Sequence, residues 1–509
     1  MTYMTVMRIS KFFLILLLLG LILRLLPVLT GNIYFGFDQG LDTILVKQLV
    51  VDHKINLVSR YSGLQGVLMG PLWTWFLAIP FAISSGNPAS FTVFLILLSL
   101  VSSAATFFLT RKYLGTVAAY FATAWTLFAP IFVFNATVPA SPHPLTFLFI
   151  FFLWFCYELF VNGKKIFWIP LLLLSGIFFQ FEIGFALFIL PTILVLIIIF
   201  KSLPNKYFLA GGILFAITFV PQILFDLRHQ FLITHGVLGL FSQKENSLYS
   251  AHNSLITRFS ERAWSFGDDF ITMVVLVRHW ATVGLITILS FIGWLLISKN
   301  KLKIQTGFLK ILLAILGVFY IGFSFYPGPL WVWYRAGLPI VYVLLVAVPL
   351  GFLWEKIKIF RFLIIPLFLV IFSQTFTLLP KPVNDVAIIS TQKKVLDYVY
   401  GSAAGQQFSY FAYTPPVYDY IWQYDFWFYG QRKYGYLPQN WQMGIPLLDI
   451  GTQNKPPTGN EKLFYLIIEP NHDRPWEPQG WVKNYIKTGK ILETKQFPGD
   501  VIVEKRTNN

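Results

Sequence analysis

The sequence predicts a mainly α-helical, polytopic membrane protein with about eleven transmembrane helices and a small C-terminal α/β domain outside the membrane. Of the 509 residues, 56% are hydrophobic and only 12% are charged, whereas soluble domains carry about 25% charged residues. Apolar runs long enough to cross a bilayer recur along the chain. From about residue 380 the composition becomes mixed and water-compatible, and no further apolar run follows.

The charge and cysteine content argue against two broad classes of function, nucleic-acid binding and redox chemistry. A net charge of +16 does not indicate nucleic-acid binding here, because membrane proteins concentrate Lys and Arg in cytoplasmic loops. The lone cysteine, Cys156, lies in an apolar run and allows no internal disulfide. Residues 1–30 combine a basic start with a long apolar run and no clear cleavage site, which predicts an uncleaved first helix.

The basic connectors between the apolar runs predict how many runs cross the membrane. If every run crosses, the first basic connector lies inside and the remaining five lie outside. If segment 67–84 does not cross, all six lie on one side, as the positive-inside rule requires. The twelve runs are residues 10–29, 67–84, 89–110, 115–134, 144–161, 167–181, 184–200, 207–225, 280–298, 306–323, 336–353 and 361–379.

Segment 67–84 is therefore predicted to lie along the outer surface. It contains two prolines and two tryptophans, and tryptophan favours the membrane interface. The prediction is a multi-pass protein of the plasma or inner membrane with a cytoplasmic N-terminus and an extracytoplasmic C-terminal domain. The outer loops would then hold most of the acidic loop residues, namely Asp38, Asp42, Asp52, Asp226, Glu261, Asp268 and Asp269.

Two domains are predicted, a transmembrane domain over residues 1–380 and an α/β domain over 381–509. In the second, residues 391–402 read as a helix, 408–414 and 462–469 alternate like strands, and 491–496 with 501–505 read as a hairpin. Segment 417–436 is rich in Tyr and Trp, which fits core packing, sugar stacking or contact with the bilayer.

The stretch from Gly36 to Asp42 is the main candidate for chemistry. Asp38 and Asp42 are four residues apart and would share one face of a helix, with Gln39 beside them. A carboxylate at the mouth of a membrane cavity can act as a general base for a hydroxyl group. An ordinary solvated loop is the alternative interpretation of the same residues.

Other polar residues cluster toward the same predicted face. A lipid-linked phosphate needs cations, and arginine matches phosphate oxygens with a two-pronged fork, although interfacial arginines also snorkel for purely structural reasons. Asp268 and Asp269 could bind a metal, but paired surface acids are commoner. The candidate substrate-binding residues are Gln39, His143, Glu182, Arg228, His229, Tyr334 and Arg335, with Arg60 and His235 as weaker candidates.

The order of these features resembles the GT-C glycosyltransferases of family 39, which include protein O-mannosyltransferases and bacterial lipid A aminoarabinose transferases. The resemblance covers residues 1–380 in architecture and about 30–145 in motif. It rests on an aromatic-rich outer loop with Asp38, a surface helix that begins Gly70-Pro71-Leu72-Trp73, and a helix that ends Arg111-Lys112-Tyr113-Leu114-Gly115. It implies a polyprenyl-phosphate sugar donor, an outer-face site and inverting transfer, with Asp38 at the position of the catalytic acid in the first loop.

The sequence departs from that family at three places. Many members have Asp-Glu where this chain has Asp38-Gln39, and many carry a second Asp in the loop that here spans residues 135–144. The lysine that often precedes the surface helix is replaced by Met69-Gly70. A different sugar, a different mode of phosphate binding and lost activity are all left open.

The favoured function is an integral membrane glycosyltransferase with Asp38 as general base and Asp42 orienting the acceptor. The alternatives are a transporter or flippase of lipid-linked saccharides and an inactive protein on the same scaffold. Transporters tend to show repeats and polar residues at the bilayer midplane, and neither is visible here. The predicted partners are a polyprenyl-phosphate sugar, a lipid, glycan or protein acceptor, and membrane lipids. No cofactor is certain, and a divalent metal is left open.

Overall fold

The computed structural model is dominated by helices, as the composition predicts. It describes residues 10–62, 67–242, 254–276, 279–300, 302–378, 385–415, 418–440, 463–485 and 489–507. The helices are α1 Lys11–Leu29, α2 Phe37–Val50, α3 Leu72–Ile83, α4 Ala89–Tyr113, α5 Thr116–Phe128, α6 Pro130–Thr137, α7 His143–Cys156, α8 Trp168–Phe181, α9 Ile183–Ala186, α10 Ile189–Phe200, α11 Lys206–Ile217, α12 Val220–Arg228, α13 Leu232–Ser242, α14 Leu255–Phe270, α15 Trp280–Lys299, α16 Lys303–Phe325, α17 Pro339–Lys356, α18 Ile359–Leu378, α19 Ile389–Ala403, α20 Tyr420–Asp425, α21 Gln431–Tyr434 and α22 Glu477–Tyr485.

The prediction of a multi-pass, mainly helical membrane protein is confirmed. By length and composition, seven helical segments of the described chain can cross a membrane, and nine can if each bent pair counts as one span. The bent pairs are α5 with α6, at 51°, and α11 with α12, at 45°. The predicted runs 167–181 and 361–379 correspond to shorter apolar helices within the described residues, so the predicted count of eleven is approximate.

Segment 67–84 forms only a short helix. Helix α3 has 12 residues, and at 1.5 Å per residue it spans roughly 18 Å, which is less than the roughly 30 Å hydrocarbon core. Its length agrees with the prediction that this segment does not cross the membrane. Its position at the outer face stays a prediction.

Cysteine labelling tests that position. Ser85 and Lys112 are both exposed, and the native Cys156 is buried, so background labelling should be low. We expect Ser85→Cys to react with a membrane-impermeant reagent from outside and Lys112→Cys to react only from the cytoplasmic side. Labelling of Ser85→Cys from the cytoplasm alone would contradict the surface position of α3.

The chain contacts divide the protein into two compact units. The first comprises residues 1–25, 56–73 and 94–379, and the second comprises 26–55, 74–93 and 380–509. The predicted domain boundary, between residues 380 and 381, lies outside the described residues and stays a prediction. The second unit thus includes the candidate loop around Asp38 together with the C-terminal α/β region.

A buried arginine stabilises the packing of the first unit. Arg24 lies in the first span and is fully buried. Its guanidinium donates hydrogen bonds to the backbone oxygens of Leu127, at 2.6 Å, and Thr126, at 2.9 Å. A charge at membrane depth is costly unless it is partnered, and the bend after α5 supplies the partners because it leaves these carbonyls outside the helical pattern.

The C-terminal region contains a five-stranded mixed sheet. The strands are β1 Phe408–Tyr413, β2 Gln439–Asn440, β3 Leu463–Ile468, β4 Ile491–Gln496 and β5 Ile502–Thr507, in the order β2-β1-β3-β5-β4. β1 pairs in parallel with β2 and β3, while β5 runs antiparallel to β3 and β4. The predicted helix, the two longer strands and the closing hairpin are all present, and the two-residue strand β2 was not predicted.

Candidate active site

The predicted catalytic loop forms the start of helix α2. Gly36 is the residue before the helix, and its backbone N–H donates a 3.1 Å hydrogen bond to Oε1 of Gln39. This bond satisfies a backbone donor at the helix end, as the glutamine of a capping box does. Gln39 is buried, so this side chain stabilises the loop, and its predicted contact with substrate stays a prediction.

The two aspartates of this loop have different environments. Both lie in α2, one helical turn apart, but Asp38 is exposed whereas Asp42 is only 1% exposed. Asp38 also lies in the first turn of the helix, where the macrodipole favours a negative charge. Asp38 is therefore a carboxylate that a ligand can reach directly, and Asp42 is part of the interior of its unit.

The glycines of this loop allow close packing within the protein. A Cβ on Gly40 would lie 2.7 Å from the backbone nitrogen of Ile421 in α20, and a Cβ on Gly36 would lie 2.8 Å from the Tyr34 hydroxyl. Leu41 and Leu45 pack against Tyr420 on the same interface. The aromatic segment 417–436 thus contributes to the core beside α2, as the core-packing interpretation predicts, with buried side chains at Tyr420, Trp422, Tyr424 and Phe426.

In the first unit, Glu182 and Tyr334 meet around Gly184. Oε1 of Glu182 accepts a 3.1 Å hydrogen bond from the backbone N–H of Gly184 at the start of α9. The Tyr334 ring packs so closely on Gly184 that a Cβ there would collide with it. Burial raises the pKa of Glu182 to about 7, although the Gly184 hydrogen bond and the charge of Arg60 oppose the shift. A carboxyl group with this pKa can exchange protons near neutral pH.

Arg335 forms a buried ion pair with Asp269. Nε of Arg335 lies 2.5 Å from Oδ2 of Asp269, and Nη2 donates a 3.0 Å hydrogen bond to Oδ1. Both residues are 5% exposed. The third nitrogen, Nη1, is buried and has no hydrogen-bond partner in the part of the chain that the structure describes. The aspartate therefore orients the guanidinium and leaves one nitrogen for another acceptor.

Arg60 lies in a loop and His143 begins helix α7 of the same unit. Arg60 donates a 2.8 Å hydrogen bond to the Ser141 hydroxyl, and its charge acts on Glu182. Nδ1 of His143 lies 2.5 Å from the backbone oxygen of Val138, which fits its alternative interpretation as a polar residue at a helix start. Arg60 therefore interacts with both Ser141 and Glu182. The sequence analysis ranks it only among the weaker candidates.

Arg228 and His229 end helix α12, and both side chains are exposed. The His229 ring stacks on Phe225 at 3.9 Å between centroids, and Nδ1 lies 2.7 Å from the Phe225 backbone oxygen. Neighbouring Asp226 accepts hydrogen bonds from the backbone N–H groups of Ile233 and Thr234, which satisfies the start of α13. The substrate-binding roles of Arg228 and His229 stay predictions.

Metal binding finds no support in the carboxylate and histidine positions. Among the described residues, no group of three or more His, Cys, Asp or Glu side chains is placed to hold a metal ion. Asp269, one of the two acids weighed as a metal ligand, instead pairs with Arg335. Whether the protein requires a divalent metal is left open.

Known structures share this arrangement of helices and sheet. The fold is similar to that of ArnT from Cupriavidus metallidurans bound to undecaprenyl phosphate, with a TM-score of 0.59 and 12% identity over 98% of each chain. The protein has the GT-C fold. The predicted resemblance is thereby confirmed. ArnT in the apo state gives the same TM-score over 97% of each chain.

The match by sequence covers a smaller part of the chain than the structural similarity does. Residues 69–225 match the family of dolichyl-phosphate-mannose-protein mannosyltransferases, a range that contains α3, His143 and Glu182 but neither Asp38 nor Arg335. No curated protein matches the chain by sequence. A second structural similarity is to the oligosaccharyltransferase of Archaeoglobus fulgidus in complex with Zn and sulfate, with a TM-score of 0.49 and 11% identity. The match covers 80% of this chain and 61% of the oligosaccharyltransferase chain.

Proposed function

We propose that the protein is an integral membrane glycosyltransferase that moves a sugar from a polyprenyl-phosphate donor to an acceptor hydroxyl on the outer face of the membrane. The observation that carries this proposal is the similarity of the whole chain to ArnT, whose structure contains undecaprenyl phosphate. The match to mannosyltransferases that use a dolichyl-phosphate sugar supports the same donor chemistry. The sugar and the acceptor are not specified by these similarities.

Asp38 is the proposed general base. The acceptor hydroxyl has a pKa far above neutral, so its proton must leave as the oxygen attacks the anomeric carbon. Asp38 is exposed at the start of α2, where a substrate can approach it. It would accept the proton while the bond between the anomeric carbon and the phosphate oxygen breaks. A single displacement of this kind inverts the anomeric configuration. Orientation of the acceptor by Asp42, which is only 1% exposed, stays a prediction.

Arg335 is the proposed partner of the donor phosphate. The leaving group departs with the electron pair of the broken bond, and a cation stabilises that charge. A buried donor without a partner costs about 1–3 kcal/mol, so the free Nη1 of Arg335 is better explained by a ligand acceptor than by packing alone. Arg60 and Arg228 would supply further positive charge, and His229 beside Arg228 would supply a hydrogen-bonding group.

Sugar release from a labelled donor tests the proposal directly. The purified protein in liposomes would receive undecaprenyl-phosphate sugars labelled in a pentose or hexose, together with lipid, glycan and peptide acceptors. We expect label to appear on one acceptor class, with one undecaprenyl phosphate formed for each sugar transferred. Movement of the intact labelled lipid between leaflets without release would favour the flippase alternative instead.

A further inference from the structure

A cleft in the C-terminal region is lined by residues other than the site residues described above. It has a volume of about 570 Å³ and opens between helix α22 and the sheet face formed by β3, β5 and β4. Glu469 and Asn471 come directly after β3, so the cleft lies at the carboxyl end of a strand that pairs in parallel with β1. This end of parallel strands is where open α/β sheets commonly place ligands, and the volume suits a small ligand.

The floor of the cleft is apolar and built into the core of the second unit. Ile468 and Ile502 come from neighbouring strands, and Val482 comes from α22. Three prolines in the segment that leads into and begins α22 add rigid apolar surface, namely Pro470, Pro475 and Pro478. Because proline fixes its own backbone angle, these walls are pre-organised before any ligand arrives.

The rim of the cleft is polar and contains no strong positive charge. Its polar side chains combine amide, hydroxyl and carboxyl groups with the imidazole of His472, and none of the described residues that line it is Lys or Arg. Amide groups and protonated carboxyl groups can donate to and accept from adjacent hydroxyls at the same time, while ionised carboxylates only accept. The amide, hydroxyl and carboxyl groups of the rim belong to Glu469, Asn471, Gln479, Thr494, Asp500 and Glu504.

Two carboxyl groups of the rim, those of Glu504 and Glu469, are held by cationic or hydrogen-bonding partners. Arg506 donates bonds of 2.8 Å and 2.6 Å to Oε2 of Glu504. Glu469 is 4% exposed and accepts a 2.8 Å hydrogen bond from the Trp422 indole. Burial raises the pKa of Glu469 to about 8, with Asp419 and Asp385 adding to the shift and Trp422 opposing it. The raised pKa favours the protonated carboxyl, which can donate as well as accept.

From this lining we propose that the cleft binds an uncharged, hydroxyl-rich saccharide unit of the acceptor, so that the acceptor is a glycan or a glycosylated molecule. The apolar floor would face the carbon-bound hydrogens of the sugar ring, and the amides and carboxyls would bind its hydroxyls. An anionic ligand is disfavoured because the described lining includes three carboxyl groups and no Lys or Arg. The role as an acceptor site rests on the proposed glycosyltransferase function, whereas saccharide binding itself does not.

Equilibrium binding without any donor tests the site independently of catalysis. The full-length protein in detergent would be titrated with neutral disaccharides of hexoses and N-acetylhexosamines, using ligand-observed NMR, and with the corresponding uronic-acid disaccharides. We expect binding of at least one neutral disaccharide and at least tenfold weaker binding of its acidic counterpart. Absence of neutral binding, or preference for the acidic sugars, would overturn the proposal.

A charge-matched pair of variants tests whether the disaccharide binds in this cleft. Gln479 lines it from α22 and is exposed, so Gln479→Arg should fold and fill the opening. Gln407 is also exposed, lies just before β1 and does not line the cleft. We expect Gln479→Arg to weaken disaccharide binding at least tenfold and Gln407→Arg to leave it unchanged. Equal binding by both variants would overturn the assignment of the site.

A kinetic measurement separates the acceptor role from saccharide binding. In the labelled-donor assay, Gln479→Arg should raise the acceptor KM at least tenfold relative to Gln407→Arg. An unchanged acceptor KM in an active enzyme would overturn the acceptor role. Failure of sugar transfer by the wild type would instead count against the proposed function, while the binding experiments would still decide whether the cleft is a saccharide site.

Discussion

Replacing Asp38 with asparagine is expected to lower kcat by about 10²–10⁴-fold, the usual contribution of a general base. The carboxamide keeps the shape of the side chain and cannot take a proton from the acceptor hydroxyl. Asp38 is exposed in the first turn of α2, and its interaction with the helix dipole, which the change weakens, contributes about 0.3–1 kcal/mol. Donor binding and the apparent melting temperature should therefore stay close to those of the wild type.

Asp52 provides the matched control for this substitution. It follows the same helix, is exposed, and forms a surface ion pair with Lys47 at 2.9 Å. Such a pair contributes roughly 0–1 kcal/mol, so Asp52→Asn should leave turnover nearly unchanged. If Asp38→Asn keeps more than about a tenth of wild-type turnover, outside the usual range for a lost base, the base lies elsewhere. Glu182 would then be the next candidate, because its pKa of about 7 suits proton transfer.

The fold was predictable because its signals are local. Apolar runs, basic connectors and alternating strands each report the surroundings of a short segment. They led to the helical membrane region, the short helix α3 and the closing hairpin. Strand β2 was not predicted because two residues are too few for an alternation to show. The order of the strands in the sheet could likewise not be predicted, since the parallel pairing of β1 with β3 joins segments more than 50 residues apart.

The candidate site was only partly predictable for a related reason. Arg335 was selected for its charge beside an aromatic loop, but its partner Asp269 lies 66 residues away and gave no local signal of burial. Gly36 and Gly40 flank Asp38, and the close packing of Tyr34 and α20 against them gave no local signal in the sequence. The bond from Gly36 to Gln39 was within reach of sequence reasoning, because a Gln three residues after a helix start is a capping signal.

The largest expected effect outside Asp38 concerns the pair of Arg335 with Asp269. Removing one partner leaves the other as an uncompensated buried charge, which typically costs about 3–5 kcal/mol. Arg335→Ala and Asp269→Ala should therefore each lower the apparent melting temperature in detergent by a similar amount. Arg335→Lys should recover part of the stability, because an ammonium keeps the charge without the geometry of the fork.

A loss of donor binding in Arg335→Ala alone would not separate a phosphate contact from a damaged fold. The double variant Arg335→Met with Asp269→Leu makes that separation, because replacing a buried ion pair by apolar groups of similar size is often neutral or stabilising. If Arg335 binds the donor phosphate through its free Nη1, the double variant should regain the wild-type melting temperature and still bind undecaprenyl phosphate at least tenfold more weakly. Melting is followed by intrinsic fluorescence, and lipid binding by native mass spectrometry of the same preparations. A double variant that is stable and binds undecaprenyl phosphate as tightly as the wild type would show that the pair is structural alone, and the phosphate contact would then pass to Arg60 or Arg228.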